Sequence, residues 1–494
     1  MSRTPPDPRS PVIIGAGQFL NRDEPGREPL DLMVEALQLA ERDAGAAGVL
    51  AKVDTIAVVP TFSWRYSDPG RLVGSRTGAS DASTWYANVG GNTPQMFVNR
   101  LARHIAEGSV DLAVLTGGEA GRSRRLAKAG GGDAAWDRQP ADEEPDWKDD
   151  SPFLMAHPAE IARGIVMPTQ VYPLFETALW HDSGRTFDEH LAFIGELWAG
   201  YAAVAADNPH AWRREALSAQ EITTPTAENR LVGFPYTKRM VSNPDVDMAT
   251  GLIMCSYERA RELEIEEDRL VFVHAGTDGV DRKLSERVDL VSSPAIRIAG
   301  NRALELAGLG IDAVDHLDVY SCFPSAVQLA LRELSIPADR QLTVYGGLPF
   351  AGGPWNNPVG HAVASMVQVL REDPGSTGLV TANGGHVDKH AFGVYSTRPP
   401  EQGFRWDRPQ EQIDAAATPV PVEGEHRGPA TIEAWTVMHG RDGAPERGHA
   451  ACRTPSGART WGVTDDAAVM ELFEQRDVAG TEVVLGEDGR LDLA

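Results

Sequence analysis

The chain has 494 residues, enough for about two to four domains rather than one ordinary core. Its 71 acidic against 46 basic residues give a formal charge of −25, which repels nucleic-acid backbones and anionic membranes at long range. Three widely spaced cysteines, Cys255, Cys322 and Cys452, exclude a disulfide framework and a paired-cysteine metal knuckle, and they fit a reducing cytoplasm. The polar, Pro-rich start offers neither a secretory signal nor a membrane span.

Residues 11–16 read as a short buried strand that breaks at Gly15-Ala16-Gly17, followed by a helix over 29–46. The glycines form only part of a GxGxxG motif, so they mark a strand end rather than a nucleotide cradle. A second strand is expected at 54–60. Val89-Gly90-Gly91-Asn92-Thr93 opens a helix over 94–107, and a strand at 110–116 runs into Gly117-Gly118-Glu119. Strands alternating with helices predict a mostly parallel sheet covered on both faces. Residues 122–152, rich in Gly, Arg, Asp and Pro, read as an exposed loop or lid. Two helices follow at 168–184 and 186–207, the second stopped by Asn208-Pro209, then a helix at 247–265 and a strand at 269–275.

A second alternating half begins near Ser292. Helices are expected at 295–307 and 324–334, and strands at 315–320, 377–382 and 391–396. Between them the Gly/Pro/Asn-rich stretch 342–358 opens into a helix with His361 in its first turn. The similar order of elements in the two halves predicts a duplicated α/β layout with the active region where they meet. Beyond Pro399 the pattern changes to short strands at 430–437, 449–453, 458–463 and 481–485 around a helix at 465–476, which suggests a small OB-like β-barrel. That tail lacks a basic stripe interleaved with aromatics, so an interaction or pocket-covering module fits better than a nucleic-acid binder. The expected division is 1–121 (first half), 122–245 (loop and helical insertion), 246–283 (completion of the first half), 284–402 (second half), 403–428 (linker) and 429–494 (added domain).

Several residues carry chemistry. An imidazole at a helix start, as at His361, can accept or share a proton on a ligand, although a Gly-Gly-x-Pro loop can equally carry a structural histidine. Cys322 follows a strand, where cysteine is ordinarily a small buried apolar residue. If it and His361 stand within hydrogen-bond reach, its thiol becomes a proton donor or nucleophile. His157 opens the insertion's helices. His386, Asp388, Lys389 and His390 cluster behind Gly384-Gly385, and as one short loop without a partner motif they do not argue for a metal.

The segments GGNTPQM, VLTGGE, FPYTKRMVSNPDVDMATGLI, HLDVYSCFPSAV, GGPWNNPVGHAV and TANGGHVDKHAFGVYS, in this order over about residues 10–400, resemble the thiolase superfamily. The likeness is to its SCP2-type branch and to actinobacterial thiolase-like proteins with an additional C-terminal domain. The resemblance implies a duplicated five-layered α/β fold and an acyl-coenzyme A ligand, with acyl transfer of the acetyl-CoA acetyltransferase kind in lipid metabolism. It implies no cofactor beyond coenzyme A as part of the substrate. In that family a cysteine at a helix start attacks the thioester, a GHP histidine activates it, and loops of CxG, HDCF and NEAF type complete the site.

Carried over, His361 matches the GHP histidine, and Cys322 the HDCF cysteine with Tyr320 and Ser321 in place of His and Asp. Gly90, Gly91 and Asn92 stand where the nucleophile loop would be. Asn383, Gly384 and Gly385 stand in the CxG position, with His386 next and His157 where the insertion reaches the substrate. Glycine cannot form an acyl-enzyme, so ordinary ping-pong thiolysis lacks its first step. The expectation is thus an acyl-CoA-binding protein with His361 and Cys322 as catalytic candidates; the alternative is a non-catalytic CoA-ester-binding or partner-docking protein. Family habit predicts a homodimer through the first half, with a monomer left open, and no nucleic-acid or membrane partner.

Overall fold

Pro11–Leu20 is apolar on both faces because it runs through the middle of a sheet, with antiparallel neighbours on either side. The structure is a computed structural model that describes residues 6–132, 134–149 and 155–493. Among the described residues its large sheet has eleven strands. Ten lie in the order His316–Asp318, Thr377–Gly384, Lys389–Ser396, Val271–Val280, Pro11–Leu20, Asp247–Ser256, Leu112–Ala120, Thr55–Val58, Ser83–Tyr86 and Trp147–Lys148. The eleventh, Arg405–Asp407, lies parallel to Val271–Val280.

The sheet is two half-sheets joined where Val12 pairs with Phe272 and Ile13 with Val271. In the first half Thr55–Val58 runs parallel to Leu112–Ala120, then antiparallel pairings lead through Asp247–Ser256 to Pro11–Leu20. In the second half His316–Asp318 runs parallel to Thr377–Gly384, and antiparallel pairings lead through Lys389–Ser396 to Val271–Val280. The repeated pattern of the sequence is therefore a duplication in the fold. The expectation of a mostly parallel sheet is corrected to a mixed one, with antiparallel pairings at the centre of each half.

A second correction concerns 247–265, expected as a helix. Asp247–Ser256 is a strand buried along its whole length, and only Tyr257–Glu262 is helical. The apolar run fits either period, and a strand with sheet neighbours on both sides needs no polar alternation. Gly251 shows why no side chain stands at its middle: a Cβ there would lie 2.7 Å from the Leu37 backbone nitrogen in the Pro29–Ala44 helix.

The expected lid at 122–152 begins as the helix Gly121–Ala129 and then straps the outside of the first half. Trp136 packs edge-on against Trp64 at 5.2 Å, and Gln139 accepts hydrogen bonds from the Ser67 and Asp68 backbone. Trp147–Lys148 pairs with Ser83–Tyr86 at the sheet edge. Residues 133 and 150–152 of the expected lid lie outside the described residues.

The helices Pro168–Ser183 and Phe187–Asp207 form the insertion, and Ile194, Trp198 and Tyr201 pack into its core. The added domain has its own sheet, ordered Arg459–Thr464, Pro445–Arg453, Gly428–His439, Glu482–Leu485 and Leu491–Leu493, with the helix Ala467–Gln475. A parallel bridge between Val463 and Arg490 joins its ends, and the insertion's Gly233 pairs with Met438. Arg459 is fully buried, holds the Glu433 carboxylate and donates to the carbonyls of Leu284 and Arg287. The stretch 403–428, expected as a linker, is built into the body through Arg405–Asp407 and the buried Ile413 of Gln410–Ala416. Among the described residues no helix is long and apolar enough to cross a membrane.

Candidate functional site

Two helices, each packed against strands of both half-sheets, begin at the two loops singled out in the sequence. Thr93–Glu107 starts directly after Gly90-Gly91-Asn92, and Pro358–Glu372 starts at Asn357 with a proline in its first position. The Asn356 side-chain oxygen accepts from the Gly90 backbone N–H at 2.8 Å, while its amide donates to the Pro60 carbonyl at 2.9 Å. Asn357 donates to the Gly117 carbonyl at 2.7 Å. The start of the histidine-bearing helix is thereby pinned to the glycine-rich loop of the other half.

His361 is fully buried, and Tyr345 stacks on its ring at 5.5 Å between centroids. Nδ1 lies 2.8 Å from the Gln18 side-chain oxygen, and the Gln18 amide in turn donates to the Ser365 hydroxyl at 3.2 Å. A carbonyl oxygen only accepts, so this pairing places the ring proton on Nδ1. Nε2 has no hydrogen-bond partner among the described residues. Burial, helped by His210, pulls the ring's pKa down to about 3. His361 is therefore a neutral imidazole with an unengaged Nε2 lone pair, the form that accepts a proton.

Gly91 borders Tyr320 and Asn383. A Cβ at Gly91 would stand 2.9 Å from Tyr320 Cζ, closer still to the phenol oxygen, and 2.5 Å from the Asn383 carbonyl oxygen. Gly384 likewise closes on the Gly90–Gly91 backbone. Around Cys322 the Asn383 amide donates to the Tyr172 hydroxyl at 2.9 Å and reaches the sulfur at 4.0 Å, with Tyr172 also hydrogen-bonded to the thiol. Burial pushes the Cys322 thiol up to about 12, and the Tyr172 and Asn383 contacts only partly offset this. The protonated thiol is a poor nucleophile. The cavity beside Tyr320, Asn383 and His390 measures only about 10 Å³, at the margin of what one water occupies.

The structure thus brings Gly90, Gly91, Asn92, Tyr320, Cys322, Asn383 and Gly384 together at the junction of the halves. His361 and Cys322 are not hydrogen-bonded to each other. The ring's nitrogen binds Gln18, and the sulfur's partners are Tyr172 and Asn383. Ser321 packs its hydroxyl toward Gly347. Gly385 sits at φ +62°, where its turn folds onto the Asp388 carboxylate, itself paired with Lys283. His386 donates from Nε2 to the Val166 carbonyl at 3.1 Å and is held neutral by burial, its pKa near 4. His157 caps the Pro158–Ile161 helix by accepting from Ala159, a local structural duty.

Four residues outside the sequence candidates also build the site: Tyr172 beside Cys322, Gln18 on the His361 ring, and Asn356 and Asn357 at the start of the His361 helix. Their partners are distant in the chain, so no local pattern announces them.

The family model described as "Thiolase-like protein type 1 additional C-terminal domain" matches residues 409–490. An acetyl-CoA acetyltransferase of Methanocaldococcus jannaschii is 25% identical over 150 residues; the match covers 25% of this chain and 38% of that protein, so it spans well under half of the relative. Among solved structures, a monomeric SCP2-thiolase-like protein type 1 from Mycobacterium smegmatis superposes with a TM-score of 0.85 at 31% identity, covering 99% of this chain and 100% of that one. An Ltp2-ChsH2(DUF35) aldolase has a TM-score of 0.61 at 19% identity, covering 79% of this chain and 99% of that one, a likeness of fold. The acetyl-CoA acetyltransferase of Syntrophomonas wolfei gives 0.53 at 16%, covering 78% and 99%. With 31% identity across the whole of both chains and the additional domain matched by its own family model, the chain belongs to the thiolase superfamily as an SCP2-thiolase-like protein of type 1.

Proposed function

We propose that this chain binds a coenzyme A thioester at the junction of its two halves without forming a cysteinyl acyl-enzyme. The observation that carries this reading is the packing at Gly91. The position that resembles the thiolase nucleophile has no side chain, and the Tyr320 phenol occupies the space a side chain would need. Cys322 does not replace the missing sulfur, because burial keeps it a thiol. What remains for chemistry is the neutral His361 Nε2 lone pair, which can accept or relay a proton on a bound acyl group, in acyl transfer or in making or breaking a carbon–carbon bond, once ligand entry relieves the burial that weakens it as a base. The acetyltransferase names of two relatives support the ligand class.

A second reading, a docking protein without catalysis, draws on the filled site: His361 is sealed and the neighbouring cavity is very small, so a thioester enters only if packed segments move. The additional domain's pairings support an OB-type barrel, since its first strand meets the second and fourth, and its third and fifth close the ring. Trp147–Lys148 covers the first half's sheet edge from within the chain, which supports a monomer. Calorimetric titration with acetoacetyl-CoA, coupled to detection of acetyl-CoA release when free CoA is added, separates these readings. Binding supports the thioester site, and the absence of any heat or turnover leaves the docking reading.

A further inference from the structure

On the outer side of the glycine-rich loop lies a larger cavity of about 210 Å³, lined by neither His361 nor Cys322. Four cationic side chains, Arg100, Arg103, Lys389 and Arg408, face two carboxylates there, Asp149 and Asp278. In a chain whose formal charge is −25, a concave site with surplus positive charge runs against the background. The two arginines on the Thr93–Glu107 helix are held by their faces, Arg100 over Trp147 at 4.1 Å and Arg103 over Trp406 at 5.0 Å. A guanidinium stacked in this way is fixed in orientation; Arg103 already donates from Nε to Glu107 at 2.8 Å, so only its terminal N–H groups are left for an oxyanion. Asp278 is engaged by the Trp406 indole N–H at 2.8 Å; burial raises its pKa to about 6, so near neutral pH it stays largely a carboxylate whose charge the surrounding cations offset. The start of the same helix, at Thr93, also lines the cavity and adds its dipole.

We propose that this cavity is a binding site for a small doubly charged oxyanion, a dicarboxylate or a phosphate ester, distinct from the thioester site. On the scale where the cavity beside Tyr320 is about 10 Å³ and marginal for one water, its 210 Å³ admits a short-chain diacid or a phosphorylated small metabolite. The site touches the loop at Gly91 from behind: Lys389 donates to the Val89 carbonyl at 3.2 Å, and Asn92 lines the cavity while its side-chain oxygen faces Gly90 and Gly384. An occupant would therefore press on the loop that borders Tyr320.

The test is calorimetric titration of the full chain at low ionic strength with two probes, succinate and inorganic phosphate, neither of which contains coenzyme A. One saturable site per chain is expected, and the tighter probe tells carboxylate from phosphate. Binding should weaken about tenfold or more in Arg103→Ala and in Arg408→Ala, each checked for an unchanged melting temperature, and remain as in wild type in Arg427→Ala on the added domain. Should either arginine variant melt early, Lys389→Met serves as the alternative with the same expectation. The proposal is overturned if neither probe gives saturable binding, or if binding is equal in wild type and in the folded cavity variants. Because the probes lack the thioester, failure here leaves the thioester reading standing.

Discussion

At Gly91 a single methyl group decides what the site can be. Placing a Cβ there drives it into the Tyr320 ring and the Asn383 carbonyl, so Gly91→Ala should lower stability by about 1–3 kcal/mol, as overpacking typically does. Tyr320→Phe removes the nearest atom and should recover part of that loss in the double variant; urea denaturation of the four proteins measures the coupling. A purely additive result would mean that the two side chains do not compete for this space. His361 yields a pH prediction. Its folded pKa lies near 3, against the ordinary histidine value in the unfolded chain, so stability that depends on the neutral ring is intact above about pH 6.5 and drains away as pH falls toward 3. The stability difference between wild type and His361→Gln should thus shift against wild type by about 1.4 kcal/mol between pH 7.5 and 5.5. A difference that stays constant over that range would show that the ring titrates normally.

At the scale of elements, Trp147–Lys148 spans only two residues but covers the edge of an eleven-stranded sheet. Trp147 packs on Trp85, Phe97 and Arg100, so Trp147→Ala should cost about 1–3 kcal/mol and release the Ser83–Tyr86 edge. Sedimentation velocity should then show more self-association than wild type, and a variant that matches wild type and stays stable would remove this strand from the account. The same strand marks a limit of sequence reading, because a Trp-Lys pair in a polar stretch has no period to detect. Helices such as Phe187–Asp207, with caps at Thr186 and apolar residues at helical spacing, were legible because their signals are local. Asp247–Ser256 was misread for the converse reason: a strand buried on both faces loses its alternation, and only its neighbours, far away in the chain, reveal it. Likewise the His361 helix start was visible in Pro358 and the residues after it, whereas its partner Gln18 stands 343 residues away.

In the whole molecule, the additional domain is tied to the body by the hydrogen bonds of a buried arginine rather than hung on a tether. Arg459 is sealed from solvent between Glu433 and the carbonyls of Leu284 and Arg287, and Trp461 donates to Ser285 at 2.9 Å. Arg459→Met leaves Glu433 and those carbonyls short of a donor and should destabilise the chain by about 3–5 kcal/mol. Scanning calorimetry should show one transition in wild type, and a variant that melts unchanged would mean the domain contributes nothing to the body. The claim on which the functional account turns is that a thioester is held here without being transferred to a cysteine. Intact-protein mass spectrometry of the chain saturated with acetoacetyl-CoA, alongside calorimetry, tests it directly. The account predicts measurable binding heat and an unmodified protein mass, whereas an acyl adduct on Cys322 or on either other cysteine would contradict it.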